Sequence, residues 1–291
     1  MQNCATAWSE ADIPALGTAP DARFWVALEQ PGPWGAKAFT QSHLDPALGA
    51  RLEELVATAG GRLLLVRSPA EREDAAAPRR VLVGGGPSAS PWLGRCTVTR
   101  PEDLIHLLGT EPAALATAPR PDWLEPCEPV LLVCSNGKRD RCCAVSGGRL
   151  ARSLAVGHPE QVWEATHLGG HRFAATALAL PSRQVLARVD EALGHRALSG
   201  ELLCLDARHD RGRSCLPQRS RVADAWLRDR DQVADPTAWA LTEQDDLVRV
   251  VHADGRVEDL LVCRGSSEEL ELPESCGKAA VPVTWWQVEP A

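Results

Sequence analysis

Four side chains able to bind a soft metal ion lie close together in the middle of the chain. Eight residues separate Cys134 from Cys143, and three separate His167 from His171. Two thiolates and two imidazoles suit a zinc ion or an iron–sulfur centre, whereas calcium and magnesium prefer oxygen ligands. Cys142 directly precedes Cys143, so the pattern allows either residue to supply the second thiolate. The sequence therefore predicts one metal centre, and the fold must bring its ligands together.

Both ligand pairs follow predicted strands. The apolar residues 130–133 lead into Cys134, and residues 161–166 lead into His167. In open α/β sheets, ligands bind at the carboxyl ends of strands, so we expect the two pairs to meet there. Gly169, between the histidines, favours a tight loop over a helical i, i+4 pair.

The order of predicted elements repeats along the chain. The first half has predicted strands and helices at 23–29, 47–59, 63–67, 79–83, 97–99 and 101–108. The second has them at 130–133, 144–156, 161–166, 173–180, 184–189 and 190–195. Because this is the element order of a thioredoxin-like unit, we predict an α/β fold with tandem thioredoxin-like units. Their predicted bounds are 1–118, without metal ligands, and 126–291, on either side of a proline-rich linker.

The two ends of the chain are predicted differently. Residues 1–21 are polar and interrupted by prolines, which predicts a loosely held arm. Residues from about 200 to 291 are predicted to form a β-rich extension, with a hairpin turning at Asp254-Gly255. The RGRSC run at 211–215 is predicted to form a structural turn near the metal site.

Composition narrows the classes of function. The 31 basic and 39 acidic residues give a net charge of −8, which argues against nucleic-acid binding. Residues 1–17 lack a signal-peptide pattern and no apolar run reaches membrane-spanning length, so we expect no membrane association and a cytoplasmic location.

The chain has ten cysteines, which we expect to be reduced thiols rather than a disulfide framework. We predict that Cys142 is a packed side chain rather than a ligand. The cysteines predicted to be buried or incidental are Cys4, Cys96, Cys127, Cys204, Cys263 and Cys276.

The metal-ligand windows also resemble a known family. The runs CSNGKRDRCCAVSG, VWEATHLGGHRFAATALALPS and RGRSCLP are similar to sequences of the sucrase/ferredoxin-like family, and PGPWG at 31–35 weakly extends the likeness. The resemblance implies a thioredoxin-like ferredoxin fold that holds a 2Fe-2S cluster with two cysteines and two histidines. Carried over to this chain, it implies the ligands Cys134, Cys143, His167 and His171.

The predicted function is therefore electron transfer or redox sensing, with no catalytic residues and with a donor or acceptor protein that the sequence does not identify. One alternative is a thioredoxin-type thiol redox enzyme using Cys134 with Cys142 or Cys143, although the usual C-x-x-C spacing is absent. Another is a binding module stabilised by zinc. No motif places a carboxylate pair for glycoside hydrolysis.

Overall fold

Most strands of the protein join one ten-stranded mixed sheet, with the order β10-β9-β8-β6-β7-β2-β1-β3-β4-β5. The computed structural model describes residues 3–69 and 77–291. The strands of this sheet are β1 (Trp25–Glu29), β2 (Arg62–Arg67), β3 (Arg79–Gly85), β4 (Trp92–Val98), β5 (Glu125–Pro126), β6 (Val130–Cys134), β7 (Val162–Ala165), β8 (Ala177–Leu180), β9 (Gln184–Leu186) and β10 (Asp210–Arg213).

Helices cover the sheet and connect its parallel strands. They are α1 (Cys4–Glu10), α2 (Pro46–Thr58), α3 (Asp103–Leu108), α4 (Gly148–Ala155), α5 (Glu191–Ala197) and α6 (Gln218–Asp231). Shorter helical turns lie at Pro112–Ala116, Cys143–Gly147 and His171–Phe173. Among the residues that the structure describes, no helix is both long and apolar enough to cross a lipid bilayer.

The two halves of the sheet repeat the same strand arrangement. In the first half, β1 is parallel to β2 and antiparallel to β3, which pairs with β4. In the second half, β6 is parallel to β7 and antiparallel to β8, which pairs with β9. Each parallel pair needs a crossover, which α2 and α4 supply. Because β1 and β6 are covered on both faces, their sequences are nearly continuous apolar runs.

The halves meet where β2 pairs with β7 in antiparallel fashion. The pairing continues past the end of β7 through Thr166, whose backbone N–H donates to the Leu65 carbonyl at 2.9 Å. The Leu65 backbone N–H in turn donates to the Thr166 hydroxyl at 3.0 Å. His167 is the next residue, so a strand of the first half fixes the start of the segment 167–171, which we call the histidine loop.

The C-terminal part forms a second sheet of four antiparallel strands, β11-β12-β13-β14. Its strands are β11 (Trp239–Gln244), β12 (Leu247–His252), β13 (Val257–Pro273) and β14 (Ala280–Pro290). Helix α6 packs on this sheet through buried residues that include Val222 and Leu227, together with Val248 and Trp286.

The structure confirms the mixed α/β class and the β-rich C-terminal part. The thioredoxin-like nature of the units and their boundaries stay predictions. The loosely held arm was wrong: α1 lies within residues 1–21, and Cys4 and Trp8 are buried. The error arose because the apolar partners of α1 lie far away in the sequence, so the local pattern carries no trace of them.

Candidate metal centre

Three of the four predicted ligands come together in the structure. One ligand atom each of Cys134, Cys143 and His167 lies within 4.8 Å of the others. The two cysteines are almost fully buried, and His167 is partly exposed. The carboxyl ends of the parallel strands β6 and β7 deliver Cys134 and the histidine loop to the same edge of the sheet, as the strand order predicts.

A close approach between a helix and a strand brings Cys143 to Cys134. The chain re-enters a helix through a π-helical turn at Cys143–Gly147, a local irregularity that is common at functional sites. A Cβ atom on Gly147 would lie 2.0 Å from the Cys134 carbonyl oxygen, so only glycine permits this contact. Without it, Cys143 would be held away from the end of β6.

The structure separates Cys142 from Cys143. Successive residues on a helix point about 100° apart, so neighbouring side chains face different surroundings. Cys143 faces Cys134 and His167, whereas Cys142 faces Cys4, Asp140 and Cys276. The sequence left open which cysteine supplies the second thiolate, and the geometry favours Cys143.

His171 lies beside the three convergent residues without being one of them. Its ring is 5.3 Å from the His167 ring, with 32° between the ring planes. Its Nε2 atom lies 3.6 Å from the Asp140 carboxylate. The Nδ1 atoms of His167 and His171 are both buried and have no hydrogen-bond partner within the described parts of the chain. Neither nitrogen is engaged by another described residue, so both are available to bind a metal.

The electrostatics of the site favour the ligand forms of Cys134 and His171 but the neutral thiol of Cys143. Hydrogen bonding from Cys143 lowers the pKa of Cys134 despite its burial, with His167 and the Leu168 N–H acting in the same direction. The same Cys134 hydrogen bond, and then burial, raises the pKa of Cys143. Burial lowers the pKa of His171, which outweighs the opposite effect of Asp140. A lowered pKa favours the neutral imidazole, which is the form that binds a metal.

Arg211 holds the histidine loop from behind. Its fully buried guanidinium donates to the carbonyl oxygens of Gly169 at 2.9 Å and Thr18 at 2.5 Å. Gly170 has φ +69°, and a Cβ there would lie 2.6 Å from the guanidinium. The RGRSC run forms the predicted turn only at Ser214 and Cys215, whereas Arg211 belongs to the buried strand β10. Sequence reasoning missed its role because the loop that it holds lies far away in the chain.

The segment 134–143, which we call the cysteine loop, is held by both halves of the molecule. The Ser135 hydroxyl donates to the buried Glu164 carboxylate at 3.2 Å, and Arg67 of β2 donates to the same carboxylate at 2.7 Å. The Asn136 side chain donates to the Gly35 carbonyl at 3.1 Å. PGPWG carries no ligand, and its Gly35 instead supports the loop that does.

A cleft of 880 Å³ opens beside His167. Asn136 and Arg139 line its side nearest the site, and Lys37 and Arg62 of the first half are also in its wall. His167 is thus the predicted ligand that borders the cleft.

Sequence reasoning also missed a second thiol cluster. Cys4, Cys142 and Cys276, which were predicted to be unrelated packed or incidental thiols, lie next to one another beside Asp140. No local motif could have identified them, because they come from the two ends and the middle of the chain.

Fold and site together define an α/β protein with a cysteine- and histidine-lined candidate metal centre. The chain belongs to the Sucrase/ferredoxin-like family, whose model matches residues 15–196 and confirms the predicted resemblance. No match was found among the curated proteins or among the solved structures.

Proposed function

We propose that this protein binds a 2Fe-2S cluster and acts in electron transfer or redox sensing. The observation that carries the proposal is the meeting of buried Cys134 and Cys143 with His167, beside the unpaired Nδ1 atoms of both histidines. The proposed ligands are Cys134, Cys143, His167 and His171.

The donor set fits this group. Two thiolates from one loop and two imidazoles from another match ligation of the Rieske type, in which two histidines replace two cysteines. The unpaired Nδ1 atoms are the nitrogens that we assign to the metal. His171 would then keep its Nε2 atom toward Asp140, which orients the ring. A bound cluster supplies one-electron chemistry, at a potential above that of all-thiolate centres because imidazole is neutral.

The surrounding residues bind the ligands, orient them and exclude water. Near-complete burial keeps solvent from both cysteine sulfurs. Arg211 fixes the backbone between the histidines, and the Leu168 N–H stabilises the Cys134 thiolate. Because His167 borders the open cleft, we propose that electrons enter or leave on that side, where a partner protein would dock.

We propose that each half of the large sheet is a thioredoxin-like unit and that only the second binds the cluster. The matching strand orders and directions of the two halves support this proposal. In the first half, β1 leads to the PGPWG loop, whereas in the second β6 leads to the cysteine loop. The first unit thus contributes a wall of the cleft and the anchor for Thr166.

A thiol redox enzyme is the second candidate. The lowered pKa of Cys134 beside a second thiol favours it, because the thiolate is the reactive form. Against it stands access: Cys134 is 0% and Cys143 1% exposed, so a disulfide substrate has no route to either sulfur.

The test is the visible spectrum of protein purified without oxygen, with iron, zinc and acid-labile sulfide measured on the same sample. We expect absorption that bleaches with dithionite and equal amounts of iron and sulfide. Colourless protein with zinc at Cys134 and Cys143 would replace the proposal with a zinc module. Metal-free protein with reactive thiols would favour the enzyme.

A further inference from the structure

A second group of thiols lies directly beside the proposed cluster site. The Sγ atom of Cys142 is 3.5 Å from that of Cys4 and 3.3 Å from that of Cys276. The Sγ atoms of Cys4 and Cys276 are 3.6 Å apart. Disulfide-bonded sulfurs are about 2.0 Å apart, so these are three separate thiols. All ten cysteines lie in the described ranges, and each is a free thiol.

The spacing of these thiols suits a single small cation. Three thiolates bound tetrahedrally to zinc at about 2.3 Å have sulfurs roughly 3.8 Å apart. The observed separations of 3.3–3.6 Å would need to open by only a few tenths of an ångström. Three neutral thiols gain little from such mutual contact, because S–H groups are weak donors and sulfur is a weak acceptor.

Asp140 supplies a fourth ligand at the same place. One of its oxygen atoms lies within 4.8 Å of all three sulfurs. The side chain is buried and held in position: its carboxylate accepts hydrogen bonds from the backbone N–H groups of Cys142 at 2.9 Å and Cys276 at 3.0 Å. The Ser275 hydroxyl adds a third, at 3.0 Å. Carboxylate oxygen is an established zinc ligand, so the donor set is three sulfurs and one oxygen.

The surroundings offset part of the charge of such a site. Three thiolates, one carboxylate and a zinc ion leave a net charge of about −2. Arg172, next to His171, lies mostly buried near Cys4 and pairs with Glu274 at 3.3 Å, so only part of its charge acts on the thiols. Its guanidinium stacks on the Trp8 ring at 4.7 Å.

The three cysteines come from distant parts of the chain. Cys4 opens α1, Cys142 lies in the cysteine loop, and Cys276 lies in the turn between β13 and β14. The family model matches residues 15–196, so both Cys4 and Cys276 fall outside it. The group therefore joins one cysteine inside the matched region to two cysteines of the segments outside it.

We propose that Cys4, Cys142, Cys276 and Asp140 bind a structural zinc ion that clasps both terminal segments onto the cysteine loop. Binding breaks three S–H bonds and forms three S–Zn bonds and one O–Zn bond, and the three protons pass to solvent. All four zinc positions are filled by protein, so the site has no open position for catalysis. The clasp holds α1 over the turn that carries His171, where Trp8 packs edge-on against Phe173 at 5.4 Å. The inference does not depend on the nature of the cluster.

The experiment measures zinc and iron per chain in full-length protein purified without oxygen from zinc-supplemented cells. We expect one zinc per chain in the wild type. Cys4→Ser and Cys276→Ser should each lose it by at least tenfold without losing iron. Cys263→Ser is the matched control and should keep the zinc, because Cys263 lies on β13, the strand before the turn that carries Cys276. Cys134→Ser should also keep it.

Cobalt separates ligand loss from unfolding. After zinc is exchanged for Co²⁺, the wild type should show thiolate-to-cobalt charge-transfer absorption, which Cys276→Ser lacks while its far-ultraviolet circular dichroism is unchanged. Three results would each overturn the proposal: wild-type protein without zinc or cobalt binding, zinc that survives Cys276→Ser but not Cys134→Ser, or a native Cys142–Cys276 disulfide in peptide mass spectra.

Discussion

Two thiol groups share one loop of this protein and differ in almost everything else. The inner group joins Cys134 and Cys143 to His167, and its sulfurs are almost completely buried. The outer group joins Cys142 to Cys4 and Cys276 beside a carboxylate, and Cys276 is partly exposed. Imidazole ligands suit a redox centre of raised potential, whereas three thiolates and a carboxylate suit a closed zinc site.

One short loop can carry residues of two separate groups because neighbouring side chains point in different directions. Cys142 and Cys143 are neighbours in the sequence, but the helical geometry turns their side chains toward opposite partners. Asp140 lies between the groups, since its carboxylate is near the outer sulfurs and 3.6 Å from His171 Nε2. The loop thus couples the proposed clasp to the orientation of a proposed cluster ligand.

The largest effects should come from substituting the adjacent residues Cys142 and Cys143 one at a time, which tests whether the inner and outer groups are separate metal sites. Cys143→Ser should abolish iron binding and visible absorption while leaving zinc in place. Cys142→Ser should abolish zinc binding while leaving iron and the visible absorption in place. The measurement is metal content per chain by mass spectrometry together with the visible spectrum. If both variants lose both metals, the inner and outer groups form one metal centre and are not separate sites.

Next in size is the effect of removing the support behind the histidine loop. Arg211→Ala would leave the carbonyl oxygens of Gly169 and Thr18 without their donor, at a cost of about 1–3 kcal/mol for each buried group. We expect a lower urea midpoint and reduced iron content, with zinc unchanged. Arg149→Ala, which removes an exposed arginine of α4, is the control and should change neither the urea midpoint nor the iron content. Equal loss of zinc would show that Arg211 supports the whole loop region rather than the histidines.

A smaller effect should follow from changing one inner ligand in kind. His171→Cys replaces a neutral imidazole with a charged thiolate, so the cluster should remain and its midpoint potential should fall by on the order of 100 mV. Protein-film voltammetry measures the shift, and His209→Cys, outside both groups, should leave the potential unchanged. Complete loss of iron in His171→Cys would mean that geometry, and not ligand type, governs this position.

The smallest expected effect is a loss of folding stability in acid, through the buried ion pairs of Asp224. Burial alone would raise the pKa of Asp224, but the charges of Arg213 and Arg228 outweigh it and hold that pKa below its ordinary value. The network anchors β10, which carries Arg211, to α6, because Arg213 of β10 pairs with Asp224 and Arg228 of α6 pairs with Asp210. Stability from this network is therefore present above the unfolded-state pKa of about 4 and is lost as pH falls through the lower folded value.

Urea unfolding followed between pH 6 and pH 3 measures this decline. Asp224→Asn should be less stable at pH 6 and should show a shallower slope, because it has no carboxylate to protonate. An unchanged slope would assign the acid sensitivity to other carboxylates.

Much of the fold could be read from local patterns. The apolar runs of β1, β2, β3 and β6, the helical spacing of α2 and the Asp254-Gly255 turn of the β12–β13 hairpin all match the predicted elements. Predictions failed where a segment depends on distant partners. Residues 1–21 lack a strong local pattern, yet α1 forms there because Trp8 packs on Phe173 and donates to the Pro273 carbonyl.

The candidate centre divides in the same way. Local sequence was enough to predict an inner donor set of two cysteines and two histidines, with Cys142 and Cys143 as alternatives, because C-x8-C and H-x3-H are short motifs that each follow a predicted strand. Long-range packing turns Cys143 rather than Cys142 toward Cys134 and brings Cys4 and Cys276 to Cys142. The physical reason is that ligand type and spacing are local properties of a chain. The direction of a side chain and the meeting of chain ends depend on how distant surfaces pack.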